Sequence, residues 1–310
     1  MSANTDPKPI GKMHADELDI DEALVRRLLV AQFPQWADLP LMPVYSGGTD
    51  NAIYRLGDDL SVRLTRRESP QEQLDKELRW LPMLAPHLPL AIPVPLVMGA
   101  PGEGYPMTWS VNRWLPGENA INAPLADPMR AASDMADFLT ALRQIDTTGG
   151  PLAGEHNFGR GMPLAERDAF VRESIIALEG MIDTDAATAA WEVALHAPVW
   201  SEPPVWVHGD LLPGNLLVTA GRLSGVIDFG GLGLGDPACD LLVAWGLFSR
   251  DAREHFRAAL QVDDASWARG SGWALSIGVI ALPYYKETNL ILANIARRLI
   301  AEVLSDYRQG

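Results

Sequence analysis

The stretch from Val205 to Gly230 reads VWVHGDLLPGNLLVTAGRLSGVIDFG, and the order of its residues decides the fold of the chain. Short apolar runs alternate here with side chains that form strong hydrogen bonds and can carry charge. Taken singly, each polar residue would be assigned to a turn or to the end of a strand. Taken together and in order, they predict a reaction site built from four positions: His208, Asp210, Asn215 and Asp228.

A β-hairpin is predicted across the second half of this stretch. Leu216 to Val218 and Leu223 to Ile227 have the apolar composition of its two strands. Asn215 comes directly before the first strand and Asp228 directly after the second. Because the strands of a hairpin run antiparallel, we expect both side chains at the same end of it, facing one cleft.

The spacing resembles that of protein kinases, which carry H-R-D-x-x-x-x-N followed by D-F-G. Asp210 precedes Asn215 by five positions, and the segment Ile227-Asp228-Phe229-Gly230 follows. By this resemblance Asp210 accepts the proton of a substrate hydroxyl, while Asn215 and Asp228 hold the metal ions that bridge the nucleotide phosphates. Hard oxygen ligands of this kind suit Mg²⁺, which takes few protein ligands and keeps several waters.

Three motifs, HGDLLPGN, IDFG and GDPACDL, together resemble the aminoglycoside phosphotransferase family. The signature of that family is HGD-x-x-x-x-N, then I-D-F/W, then G-D-P-x-x-D-L, and the chain has all three in order. The resemblance implies an α+β, bilobal fold like that of protein kinases. A small N-terminal lobe would hold an antiparallel sheet with a helix, and a larger C-terminal lobe would be mainly helical.

The resemblance extends to the small lobe. SGGTDNAIYRL resembles the loop that covers the nucleotide, in which Gly47, Gly48 and Thr49 would approach the phosphates; a plain hairpin turn is the alternative. LSVRLTRRE resembles the third strand, and it has Arg63 where protein kinases have a lysine that holds phosphate. In QLDKELRWL, Glu77 would form an ion pair with Arg63 and fix its position.

The same resemblance places a hinge and a domain boundary. Residues 110–113 would form the hinge, where backbone groups at Ser110 and Asn112 would hydrogen-bond to the purine. Residues 1–113 would then form the N-terminal nucleotide-binding lobe, which begins with a loose tail at 1–17. Residues 114–310 would form the helical lobe that carries catalysis and binds the acceptor.

Three residues are assigned to structural support. His208 is expected to brace the catalytic loop rather than to titrate during catalysis. Asp240, in GDPACDL, is expected to hydrogen-bond to the backbone of that loop. Asp236 precedes Pro237, a residue that suits the first turn of a helix, and is expected to cap that helix.

Composition and missing motifs exclude several other classes of protein. The net charge of −15 argues against nucleic-acid binding, which needs a basic surface. The longest apolar run is too short to span a bilayer, the polar N-terminus has no signal-peptide pattern, and the single cysteine cannot form an intrachain disulfide. We therefore expect a cytoplasmic protein without membrane or nucleic-acid partners. The chain also has no P-loop motif and no nucleophile elbow of a serine hydrolase.

The sequence therefore predicts an enzyme that moves the γ-phosphate of ATP or GTP, with Mg²⁺, to a hydroxyl group of a small molecule. The resemblance favours an aminoglycoside- or macrolide-type antibiotic as acceptor, and the acidic composition is compatible with a cationic one. A kinase of a metabolic alcohol, such as choline, homoserine or methylthioribose, is the alternative. A catalytically silent nucleotide-binding module is the weaker alternative, because Asp210, Asn215 and Asp228 are all present.

Overall fold

A computed structural model of the chain describes residues 17–44, 51–67 and 72–309. The chain divides into two compact units, one of residues 1–75 and 94–114 and the other of residues 76–93 and 115–310. The larger unit thus includes residues 76–93, which the sequence assigns to the N-terminal lobe. The predicted lobes, 1–113 and 114–310, stay a prediction.

The smaller unit is built on an antiparallel sheet. It contains helix α1 (Glu22–Gln32) and five strands: β1 (Leu41–Val44), β2 (Asn51–Leu56), β3 (Leu60–Thr65), β4 (Pro95–Gly99) and β5 (Trp109–Arg113). The strand order in the sheet is β1-β2-β3-β5-β4. Along β2 every second residue is buried, as expected for a strand with one face on a core.

Helix α1 covers the core of this unit. Its N-terminus is capped by Asp21, whose carboxylate accepts a hydrogen bond from the backbone N–H of Leu24 at 2.7 Å. Leu24, Leu28 and Leu29 follow one another at helical spacing, and the face they form is buried together with residues of the sheet. In this core the buried residues recur about every 3.6 positions along α1 and every second position along the strands.

The larger unit is mainly helical. Helix α2 (Glu72–Leu84) crosses the division between the units, and seven helices follow: α3 (Pro128–Gln144), α4 (Asp168–Ile176), α5 (Thr184–His196), α6 (Val243–Leu247), α7 (Arg250–Ala259), α8 (Asp264–Tyr285) and α9 (Leu290–Gln309). Helix α3 buries one face, which includes Met135, Phe138, Leu139 and Leu142. Helix α8 lies against α9 at Gly278, where a Cβ atom would come within 2.8 Å of the Ile300 side chain. Glycine therefore sets the distance between these two helices.

Five short strands lie among these helices. They are β6 (Glu118–Asn119), β7 (Val205–Val207), β8 (Leu216–Thr219), β9 (Arg222–Val226) and β10 (Gly233–Gly235). β8 and β9 form the predicted hairpin, and β7 pairs with β10. The segment LPGENA, residues 115–120, contributes β6, which pairs with β8. The α+β class is confirmed, and among the described residues no helix has the length and hydropathy needed to cross a membrane.

Candidate active site

The hairpin of β8 and β9 brings Asn215 and Asp228 to one end. Leu216 pairs with Val226, and the backbone N–H of Ile227 donates to the carbonyl oxygen of Asn215 at 2.8 Å. This bond extends the ladder by one step beyond the strands. Asp228 is the next residue after Ile227. Both proposed metal ligands, Asn215 and Asp228, therefore lie at the same end of the ladder.

Asp210 lies in the loop that leads from β7 to this hairpin. The Nδ2 atom of Asn215 donates to the backbone oxygen of Asp210 at 2.8 Å and to its Oδ2 at 2.9 Å. The turn before Asp210 depends on Gly209, which has a φ of +82° and lies against Gly231. A Cβ atom at Gly209 would be 2.5 Å from the carbonyl oxygen of Gly231, so the loop accepts no larger residue there.

His208 connects the Asp210 loop to the end of the hairpin. It is fully buried; its Nδ1 accepts from the backbone N–H of Asp210 at 3.1 Å, and its Nε2 lies 3.1 Å from the carbonyl oxygen of Ile227. A backbone N–H can only donate, so Nε2 carries the proton and donates to Ile227. Burial lowers the pKa of His208 to about 4, against the opposing charge of Asp228. The neutral imidazole thus makes both bonds, which supports the predicted bracing role.

Asp240 holds the backbone of the same loop, as the sequence predicts. Its Oδ2 accepts from the N–H of His208 at 2.8 Å and its Oδ1 from the N–H of Gly209 at 2.7 Å. Burial raises the pKa of Asp240 to about 6, while these two bonds and the nearby Arg143 act in the opposite direction. The carboxylate is therefore ionised at neutral pH, with each oxygen on one N–H group.

We expect Asp240→Asn to destabilise the protein by about 1–3 kcal/mol, because an amide can accept with one atom only. Its NH₂ group would face one of the two buried N–H groups. Urea unfolding measures the loss, and Asp137→Asn, at an exposed position on α3, is the matched control. An unfolding midpoint equal to that of the control would contradict the supporting role of Asp240.

Lys76 lies on the other side of the I-D-F-G segment, and no sequence motif indicates a role for it. Its Nζ donates to the carbonyl oxygen of Gly230 at 2.9 Å and lies 3.4 Å from both Nδ1 and the carbonyl oxygen of His156. The residue is 7% exposed. Burial lowers its pKa to about 8, and the neighbouring Glu77 acts in the opposite direction.

The pKa of Lys76 predicts a dependence of stability on pH. Between pH 8 and its ordinary value of 10.5, the unfolded chain binds more protons at this residue than the folded chain. The contribution of Lys76 to stability therefore rises with pH across that window. We expect the difference in unfolding free energy between wild type and Lys76→Met to rise by about 1–2 kcal/mol in urea titrations from pH 7.5 to 10. A difference that stays constant across this pH range would contradict the lowered pKa of Lys76.

A family model and individual proteins both match this chain. The family model described as "Phosphotransferase enzyme family" matches residues 42–273, about three quarters of the chain. The chain belongs to this phosphotransferase family. An aminoglycoside 3'-phosphotransferase of Streptomyces fradiae is 29% identical over 186 residues, which cover 57% of this chain and 62% of that protein. The alignment thus spans less than two thirds of that relative.

Solved structures show the fold of the phosphotransferase family in this chain. The GDP complex of aminoglycoside 2'-phosphotransferase-IIIa gives a TM-score of 0.71 at 18% identity and covers 93% of this chain and 99% of that one. Macrolide 2'-phosphotransferase type I gives a TM-score of 0.62 at 18% identity and covers 91% of this chain and 98% of that one. The bilobal, kinase-like α+β fold predicted from the motifs is confirmed.

The side chains of Asn215 and Asp228 have oxygen atoms that fit a divalent cation. Asp228 is exposed, and neither its carboxylate nor the Oδ1 of Asn215 accepts a hydrogen bond from a described residue. No group of three His, Cys, Asp or Glu side chains with metal-binding geometry occurs among the described residues. One amide and one carboxylate oxygen suit Mg²⁺, which completes its shell with water and substrate phosphates.

Of the remaining predicted nucleotide contacts, Arg63 belongs to the smaller unit and Glu77 to the larger one. Gly47, Gly48 and Thr49 fall outside the described residues. Arg63 lies in β3, opposite Ser110 of β5, and Glu77 is a buried residue of α2. Their ion pair and their contact with phosphate stay predictions.

The predicted hinge, residues 110–113, lies within strand β5. Ser110 and Asn112 are both buried, and the Nδ2 of Asn112 donates to the Oγ of Ser110 at 3.0 Å. β5 pairs with β3 on one side and β4 on the other, so sheet partners surround this segment. A role of Ser110 and Asn112 in purine binding stays a prediction.

The structure also adds contacts that no sequence motif indicated. Asp236 caps its helix as expected, with Oδ1 accepting from the N–H of Ala238 at 2.9 Å, and it also forms a buried ion pair with Arg269 at 2.7 Å. Arg160 lies beside Asp210, with 3.8 Å between Nη2 and Oδ1. Both arginines are distant from the motifs along the chain, so spacing gives no signal for them.

Proposed function

We propose that this protein transfers the γ-phosphoryl group of ATP or GTP to a hydroxyl group of a small molecule. The observation that carries the proposal is the arrangement of Asp210, Asn215 and Asp228: the first two are hydrogen-bonded, and the third follows the last pair of the hairpin. Asp210 would orient the acceptor hydroxyl and take its proton as the oxygen bonds to phosphorus. The nucleoside diphosphate leaves.

Asn215 and Asp228 would hold Mg²⁺, which when bound neutralises phosphate charge. His208 and Asp240 keep the loop in place without exchanging protons with the substrate, since the first is neutral and the second is engaged by two N–H groups. Most of the rate enhancement would then come from positioning and from charge stabilisation.

We further propose an aminoglycoside- or macrolide-type compound as the acceptor. Family membership and the two kinds of relative support it. A cavity of about 300 Å³ in the larger unit supports an acceptor that has both amino groups and apolar surface. Its lining includes the carboxylates Glu155 and Glu166, the guanidinium of Arg167, and two exposed rings, Phe158 and Phe170.

A diphosphate-release assay tests this function. ATP and GTP are each supplied with Mg²⁺ and with panels of aminoglycosides, macrolides and metabolic amino alcohols, and mass spectrometry identifies a phosphorylated product. We expect release to rise above the rate with water for at least one antibiotic. Turnover with a metabolic alcohol alone would replace the acceptor class. Nucleotide binding without release to any acceptor or to water would instead show a silent binding module.

A further inference from the structure

Arg160 lies next to the proposed base and is shielded from water. Its Nη2 is 3.8 Å from Oδ1 of Asp210; the arginine side chain is 15% exposed and the aspartate side chain 29%. An ion pair in such a partly buried place is stronger than one at an open surface. Arg160 therefore acts on the carboxylate that the reaction uses.

The backbone around Arg160 is held against the catalytic loop. Asn157 is fully buried, and its Nδ2 donates to the carbonyl oxygen of Arg160 at 2.9 Å and to that of Gly231 at 3.2 Å. On the other side, a Cβ atom at Gly209 would be 2.9 Å from the Cβ of Arg160. The arginine is thus fixed between the turn before Asp210 and the segment after Asp228.

The guanidinium of Arg160 is not placed to maximise stability. Its Nη1 is buried and has no hydrogen-bond partner among the described residues, an arrangement that lowers stability. The neighbouring Arg167 has its pKa lowered to about 10, by burial and by the positive charge of Arg160. Arg160 thus places a second positive charge near Arg167 and leaves one of its own donors without a partner among the described residues. The effect of Arg160 on Asp210 explains this arrangement better than packing does.

We propose that Arg160 is a positioning residue for Asp210. Asn215 donates to Oδ2 of Asp210, and Arg160 lies beside Oδ1. Contacts at both oxygens fix the plane of the carboxylate toward the acceptor hydroxyl. Nη2 is the guanidinium atom beside Asp210, so the arginine acts through that carboxylate. This assignment rests on the function proposed above.

A double-mutant cycle with Arg160→Met and Asp210→Asn tests the assignment. In the wild-type background we expect Arg160→Met to lower kcat by about 10–100-fold, with the KM of the nucleotide nearly unchanged. In the Asp210→Asn background the same substitution should change kcat by less than about 3-fold, because the two residues act as one unit. Arg160→Lys should recover part of the rate, since it keeps the charge.

The control is Arg253→Lys, at a buried arginine that pairs with Glu302 and Asp306 between α7 and α9. It should lower the unfolding midpoint and leave kcat unchanged. An equal loss of kcat from Arg160→Met in both backgrounds would assign Arg160 to general stability and overturn the proposal.

The same cycle measured by urea unfolding does not depend on catalysis. We expect non-additive shifts of the unfolding midpoint, because each substitution breaks the same ion pair. Additive shifts overturn the pairing of Arg160 with Asp210, whatever the assay of turnover gives. A wild-type protein that releases no diphosphate with any acceptor overturns the proposed function instead, so the two failures are distinguishable.

Discussion

Asp210→Asn should lower kcat by roughly 10²–10⁴-fold and leave the affinity for nucleotide close to that of wild type. The asparagine has nearly the same shape, and its oxygen can still accept the hydrogen bond from Asn215. It cannot take a proton from an acceptor hydroxyl, so the loss falls on the chemical step. Diphosphate release at saturating substrates gives kcat, and titration with a fluorescent nucleotide gives the affinity.

Asp137→Asn is the control, because it makes the same chemical change at an exposed position of α3. Its kcat should equal that of wild type. Turnover of Asp210→Asn within a few-fold of this control would remove Asp210 from the role of base. A parallel loss of nucleotide affinity would indicate that the carboxylate of Asp210 takes part in nucleotide binding and not only in the chemical step.

Asp228→Asn should lower kcat/KM by at least roughly 10²–10³-fold and abolish the dependence of turnover on Mg²⁺ in the millimolar range. The backbone at Asp228 has a φ of +64°, a conformation that aspartate and asparagine tolerate better than most residues. The substitution therefore removes the charge and leaves the backbone unstrained. Turnover measured against Mg²⁺ concentration, with Mn²⁺ as a second cation, gives the result.

The fold should survive this change, since Asp228 is exposed and makes no hydrogen bond to the described residues. Its unfolding midpoint should match that of wild type, which separates loss of the cation from loss of structure. Unchanged Mg²⁺ dependence would exclude Asp228 as a metal ligand. Asp228→Ala is expected to abolish turnover too, with a small additional loss of stability from the positive φ.

The local part of the site could be predicted from the sequence. Asp210, Asn215 and Asp228 lie within one stretch, and a hairpin fixes where its ends go. Ser110 and Asn112, assigned to a hinge by the resemblance, lie in β5 with sheet partners on both sides, and their contact with the purine stays a prediction. Apolar patterns predict which residues are buried, but they do not predict which backbone groups remain available to hydrogen-bond to a ligand.

The long-range polar contacts could not be predicted. Lys76 reaches the carbonyl oxygen of Gly230, 154 positions away, and Arg160 reaches Asp210 from a loop without regular periodicity. A hydrophobic pattern contains no information about which backbone carbonyl a buried lysine meets. Such contacts depend on the tertiary arrangement of the larger unit. They bring Lys76 and Arg160, to which the motifs assign no role, next to the catalytic segments.

Cys239 is the one cysteine of the chain, and it is completely buried. Burial also raises the pKa of its thiol far above the usual range, so the nucleophilic thiolate is scarce in the folded protein. Maleimide reagents should therefore not react with Cys239 in the native protein. A cysteine introduced at an exposed position, such as Asp137, can therefore carry a fluorophore or spin label on its own, without a cysteine-free background having to be made first.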